Sequence, residues 1–220
     1  MFIDKKAHHI HNIVLIGSFN PKIFHPIWLL ESGLIKEAEA EKADIQICNN
    51  DISIFSIEWA QFEITKDKFK ISTEQEAYFE FIRDLVEGMF TLLSHTPVKA
   101  IGINNLIHIK LYKDEELYEF FNSVSPYSKW ESVFNKPEIR NIALIEKKEG
   151  SVDGHLRILI EPSVIFKPGI YFDFNDHYQI VPNDQKNYVG CKEAMEVMKI
   201  NWTNTNSNCI QKVEQIWNLK

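Results

Sequence analysis

Apolar and polar positions alternate most regularly over residues 98–111. Ile101, Ile103, Ile107, Ile109 and Leu111 share one parity, while Gly102, Asn104, Leu106, His108 and Lys110 take the other. A period of two predicts a long strand with one core face. Short β-branched runs predict strands at 12–18 (closed by Gly17), at 44–49 and at 52–60, followed by a pair at 62–64 and 69–71 about a Lys66-Asp67 hairpin tip. Three more are expected at 138–147, 155–166 and 170–180, the first two joined by the turn-rich stretch 149–154. Helical spacing marks 22–35, with Pro26 near its start and Gly33 near its end, and also 113–124 and a short piece at 128–134. The clearest helix follows Ser72 and Thr73, where Glu76 completes a capping-box pattern and Tyr78, Ile82, Leu85, Met89 and Leu92 form one stripe before Pro97. A last helix over 188–200 is interrupted by the polar run 203–208. A short helix carrying Ile210, Val213 and Trp217 then closes the chain.

Each half of this order reads strand, helix, three strands, helix, without a repeat at the residue level. The expected fold is α+β: a mainly antiparallel curved sheet from two similar halves, with long helices packed on one face. The halves are 12–97 and 98–220 of one globular unit, behind a flexible leader at 1–11. The layout is similar to saddle folds of the TATA-binding type, a likeness of fold that says nothing of activity.

Composition narrows the classes. A chain of 220 residues with 45% hydrophobic and 25% charged residues has an ordinary globular balance. The formal net charge of −7 disfavours nucleic acid as a partner, since a phosphate-binding protein presents a basic face. Cys48, Cys191 and Cys209 form no close pair, which suits a reducing compartment better than a disulfide framework. No apolar stretch reaches ~18 residues, so no membrane is expected and the location reads as cytoplasmic.

Candidate chemistry is sparse. Gly17-Ser18-Phe19-Asn20-Pro21 is similar to the phosphate-binding turn that opens the nucleotidylyltransferases. The family pattern then fails: Ile23 stands where a His or Thr belongs, His25-Pro26 replaces a Gly-His pair, and Glu76 replaces the arginine in the nearest echo of the partner motif. His8, His9 and His11 fall in the polar leader and would need a carboxylate or cysteine from elsewhere to hold a metal. Asp176 and His177, as strand neighbours, point to opposite faces and cannot act together in a triad. No catalytic, metal-binding or cofactor-binding set emerges. What stands out is a group of polar words at strand ends, giving a candidate partner or ligand surface of Phe19, Asn20, His25, Trp28, Asn104, Asn105, His108, Asn175 and His177.

The phrases "GSFNPKIFHPIWLLESGLI" (17–35), "LLSHTPVKAIGINNLIHIKL" (92–111) and "IEPSVIFKPGIYFDFNDHYQI" (160–180) resemble a family of uncharacterised bacterial proteins of about this length. The resemblance spans nearly the whole chain and brings no activity or cofactor. It implies a role inside a complex, of the kind found beside toxin or phage-defence genes. The expectation is therefore a non-enzymatic subunit that binds a protein partner, a second copy of the chain included. Alternatives are a sensor or enzyme for a nucleotide-like ligand, built around Asn20, His25, Asn104 and His177, and a single-stranded nucleic-acid binder.

Overall fold

The computed structural model describes residues 7–149, 152–181 and 190–219. Residues 1–6 of the expected leader, 150–151 of the expected turn and 188–189 of the expected helix lie outside them. The fold is α+β, built on one open, fully antiparallel sheet of nine strands. These are β1 (Ala7–Gly17), β2 (Asp44–Cys48), β3 (Ile52–Ile57), β4 (Ala60–Thr65), β5 (Lys68–Thr73), β6 (Val98–Lys110), β7 (Ile142–Lys147), β8 (Asp153–Pro162) and β9 (Gly169–Gln179). Their order is β2-β3-β4-β5-β1-β6-β9-β8-β7, so β1 and β6, of 11 and 13 residues, pair at the centre.

Five α-helices accompany the sheet: α1 (Pro26–Glu31), α2 (Glu37–Glu41), α3 (Phe79–Leu92), α4 (Asp114–Val124) and α5 (Lys192–Trp217). None of the helices among the described residues is long and apolar enough to cross a membrane. The stretch expected as one helix at 22–35 splits into a 3-10 turn at Pro21–Ile23 and α1. His25 is extended because it precedes Pro26, and its Nδ1 accepts the Ile27 amide at 3.1 Å to cap the new helix. Thr73 ends β5 and its hydroxyl accepts the Gln75 amide at 3.2 Å. The α-helix proper therefore starts only at Phe79, after a 3-10 turn. Its buried stripe is Ile82, Leu85, Val86, Met89 and Phe90, while Leu92 is exposed. In place of a second short helix at 128–134 stands a 3-10 turn at Tyr127–Lys129.

One parity of most strands feeds the core, whereas the edge strand β2 is exposed except at half-buried Cys48. Ile13 and Leu15 of β1, Phe62 and Ile64 of β4, Phe69 and Ile71 of β5 and Ile101 and Ile103 of β6 join α1, α3 and the first half of α5 in one cluster. Ile107 and Ile109 of β6, Ile158 and Ile160 of β8 and Phe172 and Phe174 of β9 join α4 and the last turns of α5 in another. Between the clusters the core face turns polar. Asn105 of β6, Asp176 of β9 and Thr205 of α5 are all buried there.

That seam corrects two expectations. Residues 7–11 of the expected leader belong to β1, where residues 7–17 pair with β6 and residues 11–16 with β5 as well. The imidazoles of His9 and His11 donate to the same Asn105 Oδ1, at 2.8 and 2.9 Å, and His11 also packs against the rings of Trp202 and Phe79. Histidines read as a solvated terminus are thus core groups, tolerated because they are neutral and bonded. The helix expected to break at 203–208 runs unbroken from Lys192 to Trp217. Two of the polar residues at 203–208 are inward partners of the seam: Thr205 donates to Asp176 at 2.5 Å, and Asn206 accepts from Asn105 at 3.2 Å, while the other four are exposed.

Gly17 explains the first polar word of the chain. A Cβ there would lie 2.1 Å from the Pro97 carbonyl oxygen, and the next amide, Ser18 N–H, donates to that same oxygen at 2.9 Å. Gly17→Ala should cost at least about 2 kcal/mol, because backbone must move to admit the methyl. Urea unfolding measures this, and a loss below about 0.5 kcal/mol would show that the Pro97 segment yields freely.

Burial lowers the His11 pKa from 6.5 to about 3, outweighing its bond to Asn105. The unfolded chain takes up a proton near pH 6.5, whereas the folded chain refuses it until about pH 3. The stabilisation is complete above the unfolded value and drains as pH falls through that window, by up to about 5 kcal/mol. Unfolding midpoints at pH 7.5 and 4.5 should fall steeply for the native chain and less for His11→Phe. Equal slopes in the two proteins would contradict it.

Candidate functional site

The opposite parity of the central strands contributes to neither core cluster. Register places Asn12 of β1 beside Asn104 of β6, and Asn104 beside Asn175 of β9. Three amides on three adjacent strands then link in one direction. Asn175 Nδ2 donates to Asn104 Oδ1 at 2.9 Å, and Asn104 Nδ2 donates to Asn12 Oδ1 at 2.6 Å. Gly102 leaves room beside this ladder, since its absent side chain would point at the Asn104 amide, 3.3 Å from Oδ1. The ladder ends, an Asn12 N–H donor and an Asn175 carbonyl acceptor, carry no hydrogen bond to other described residues. They stand two strand spacings apart, or ~9.6 Å.

Two histidine pairs flank the ladder. His108 bonds Ser163 Oγ at 2.9 Å and stacks on Tyr171, with His8 beyond it. His177 faces His155 across β8 and β9, with ring centres 4.9 Å apart. Burial first, then the neighbouring imidazole, lowers the pKa of both His108 and His177, so both are neutral at pH 7. Two cations of this face are partnered, Arg157 with Asp173 at 2.8 Å and Lys68 with Glu63 at 2.5 Å, while Lys110 stands exposed at the end of β6. Around the ladder itself the surface offers neutral hydrogen-bonding groups.

Of the nine residues singled out in the sequence, the structure brings Asn104, His108, Asn175 and His177 onto this one face. Two others are not surface residues, which corrects the expectation. Phe19 is buried in the core against Phe69 and Phe90. Asn105 faces the seam, because it follows Asn104 and strand neighbours point oppositely. Asn20, His25 and Trp28 lie past the end of β1: Asn20 is exposed, His25 caps α1, and Trp28 packs its edge on Phe24. They form a separate group, since Gly17 pairs with Val98, six residues along β6 from Asn104. Asn12, the third member of the ladder, opens the strand expected at 12–18 but was not singled out, because the residues before it read as leader. Its signal was its parity with Val14 and Ile16. Among the described residues no group of three or more His, Cys, Asp or Glu side chains could hold a metal ion.

Replacing Asn104 by Leu would strip Asn12 and Asn175 of their shared partner at a buried position, costing about 2 kcal/mol. Thermal or urea unfolding measures the loss, and an unchanged midpoint would mean that water serves both neighbours equally well. No known family pattern and no curated protein matches the chain.

Proposed function

We propose that the protein is a non-enzymatic binding subunit that receives an extended segment of a protein partner across the open face of its sheet. The asparagine ladder carries this reading. It is a row of amides already fixed by one another, so little side-chain freedom is lost on binding. Its two ends offer a donor and an acceptor at ~9.6 Å, a separation that an extended peptide spans with its own carbonyl and amide about three residues apart. Neutral imidazoles around the ladder, and the pairing of Arg157 and Lys68 with carboxylates, favour a polypeptide over a phosphate backbone, which needs a cluster of unpaired positive charge. The sheet itself reads as two related halves meeting at β1 and β6, with the helices on one face and the other left for the partner. The resemblance seen in the sequence adds a setting, a bacterial complex of defence or toxin type. The alternative ligand site at Asn20, His25, Asn104 and His177 gains no support, because its members divide between two regions.

Affinity purification of the tagged chain from its native cells tests this. A stoichiometric protein should be retained by the native chain and by Ile27→Arg, an exposed position on α1. The same protein should be lost from Asn175→Arg, folded as judged by circular dichroism. Retention by Asn175→Arg, or a native chain that purifies alone, would defeat the proposal.

A further inference from the structure

Asp176 is an anomaly on the core face of β9. It follows Phe172 and Phe174, is 3% exposed, and sits in the floor of a cavity of about 770 Å³ between α5 and β7–β9. Its two carboxylate oxygens are treated differently. Oδ2 accepts from Thr205 at 2.5 Å and from the Tyr178 hydroxyl at 3.3 Å. Oδ1 has the Lys148 ammonium 2.6 Å away but off the line of a good hydrogen bond, and no other partner among the described residues. Lys148 instead donates to the Tyr178 hydroxyl at 2.6 Å and lies over that ring. The cavity floor therefore holds a carboxylate with a spare acceptor beside an ammonium with hydrogens to spare.

The rest of the lining narrows what could use this pair. Its charges are of both signs: Lys148 and Lys212 with Glu146, Glu149 and Asp176, Lys147 being turned to the other face opposite His155. An anion would meet Asp176 and a cation would meet Lys148, each with one repulsive contact. A molecule that carries both charges on adjacent carbons meets neither penalty, because its carboxylate can face Lys148 while its ammonium faces Asp176. Val152, Leu156 and Phe174 on the sheet side and Val197 and Ile200 on the helix side supply apolar walls. A ligand of about this volume with a few convergent polar groups is the ordinary content of such a cavity. Burial alone would depress the Lys148 pKa, but its interactions with Asp176 and Tyr178 outweigh that and raise it, so the cation persists across the physiological range.

We propose that this cavity binds a free α-amino acid with an apolar side chain, its ammonium on Asp176 and its carboxylate on Lys148. The site lies on the opposite face from the asparagine ladder and stands or falls separately from the partner surface.

Titration calorimetry on the full chain tests it with L-leucine and L-phenylalanine as probes. Controls are 4-methylpentanoate, 3-methylbutylamine and guanosine. Saturable binding of either zwitterion, with all three controls at least tenfold weaker, supports the proposal, and the tighter zwitterion shows which side chain the walls accept. Asp176→Asn should weaken binding at least tenfold. Ile200→Trp changes a residue 75% exposed at the cavity rim, so the fold is kept if Asp176→Asn fails to fold, and it should likewise weaken binding tenfold. Silence toward both zwitterions, a control that binds as tightly, or unchanged affinity in Ile200→Trp would overturn it.

Discussion

A sheet face that is closed by helices must satisfy every polar group it encloses, and here that requirement falls on the middle of α5. The core face carries Asn105 and Asp176 where a purely apolar face would carry isoleucines. An unpartnered amide or carboxylate at such a depth costs several kcal/mol. Thr205 and Asn206 meet those groups from the helix, and His9 and His11 meet Asn105 from β1. The seam ties β1, β6, β9 and α5 at one level, and its bonds are directional where the two flanking clusters are not. It therefore fixes the position of α5 along the sheet more sharply than hydrophobic contact alone could. Trp202, whose indole donates to Glu80 of α3 at 2.9 Å, extends the same fixation to the neighbouring helix.

The two faces of the sheet use asparagine in opposite ways. Asn104 and Asn105 are consecutive, so the pleat sends one to each side. Asn105 is drawn into a closed network in which its oxygen takes two imidazole donors. Asn104 is the centre of a chain of amides whose ends are left open. The closed network holds the fold together, and the open chain has capacity left for something else. A sheet covered on both faces would have had no use for Asn12, Asn104 and Asn175 in register, since valine or isoleucine would serve a second core better.

Much of this was legible in the sequence wherever the periodicity was strong. The alternation from Ile101 to Leu111 gave β6 its length and its two faces, the Lys66-Asp67 tip gave a hairpin, and the stripe through Ile82, Leu85 and Met89 gave α3. Misreadings cluster where polar residues are buried. His9 and His11 look like a hydrated terminus because hydropathy counts imidazole as polar, whereas a neutral imidazole with a bonded nitrogen can lie in a core. The run from Thr203 to Asn208 looks like a helix breaker for the same reason, although Thr205 and Asn206 within it serve partners 29 and 101 residues away. Long-range pairing of this kind leaves no local period, so no window on the chain could have displayed it. Pro26 misled in the other direction: it suits a helix start, but by holding His25 extended it begins a new helix rather than continuing one.

The seam also accounts for the difference between its two ends. Toward β1 it closes on aromatic rings, with His11 packed by Phe79 and Trp202 and its Nε2 left without a partner. Toward β7 it opens into the cavity, because α5 lies chiefly over β6, with Lys212 reaching Glu146 of β7 at 3.0 Å. A neutral imidazole tolerates an unused lone pair at modest cost, so the closed end needs no further partner. A carboxylate does not, and at the open end Asp176 keeps an ammonium close while one oxygen remains poorly bonded. The same polar layer that positions the helix thus ends in a charged pair at the wall of an accessible space. A seam required only for packing would have been cheaper to build from amides throughout, so the ionised pair at the cavity is the part of the layer that folding alone does not explain.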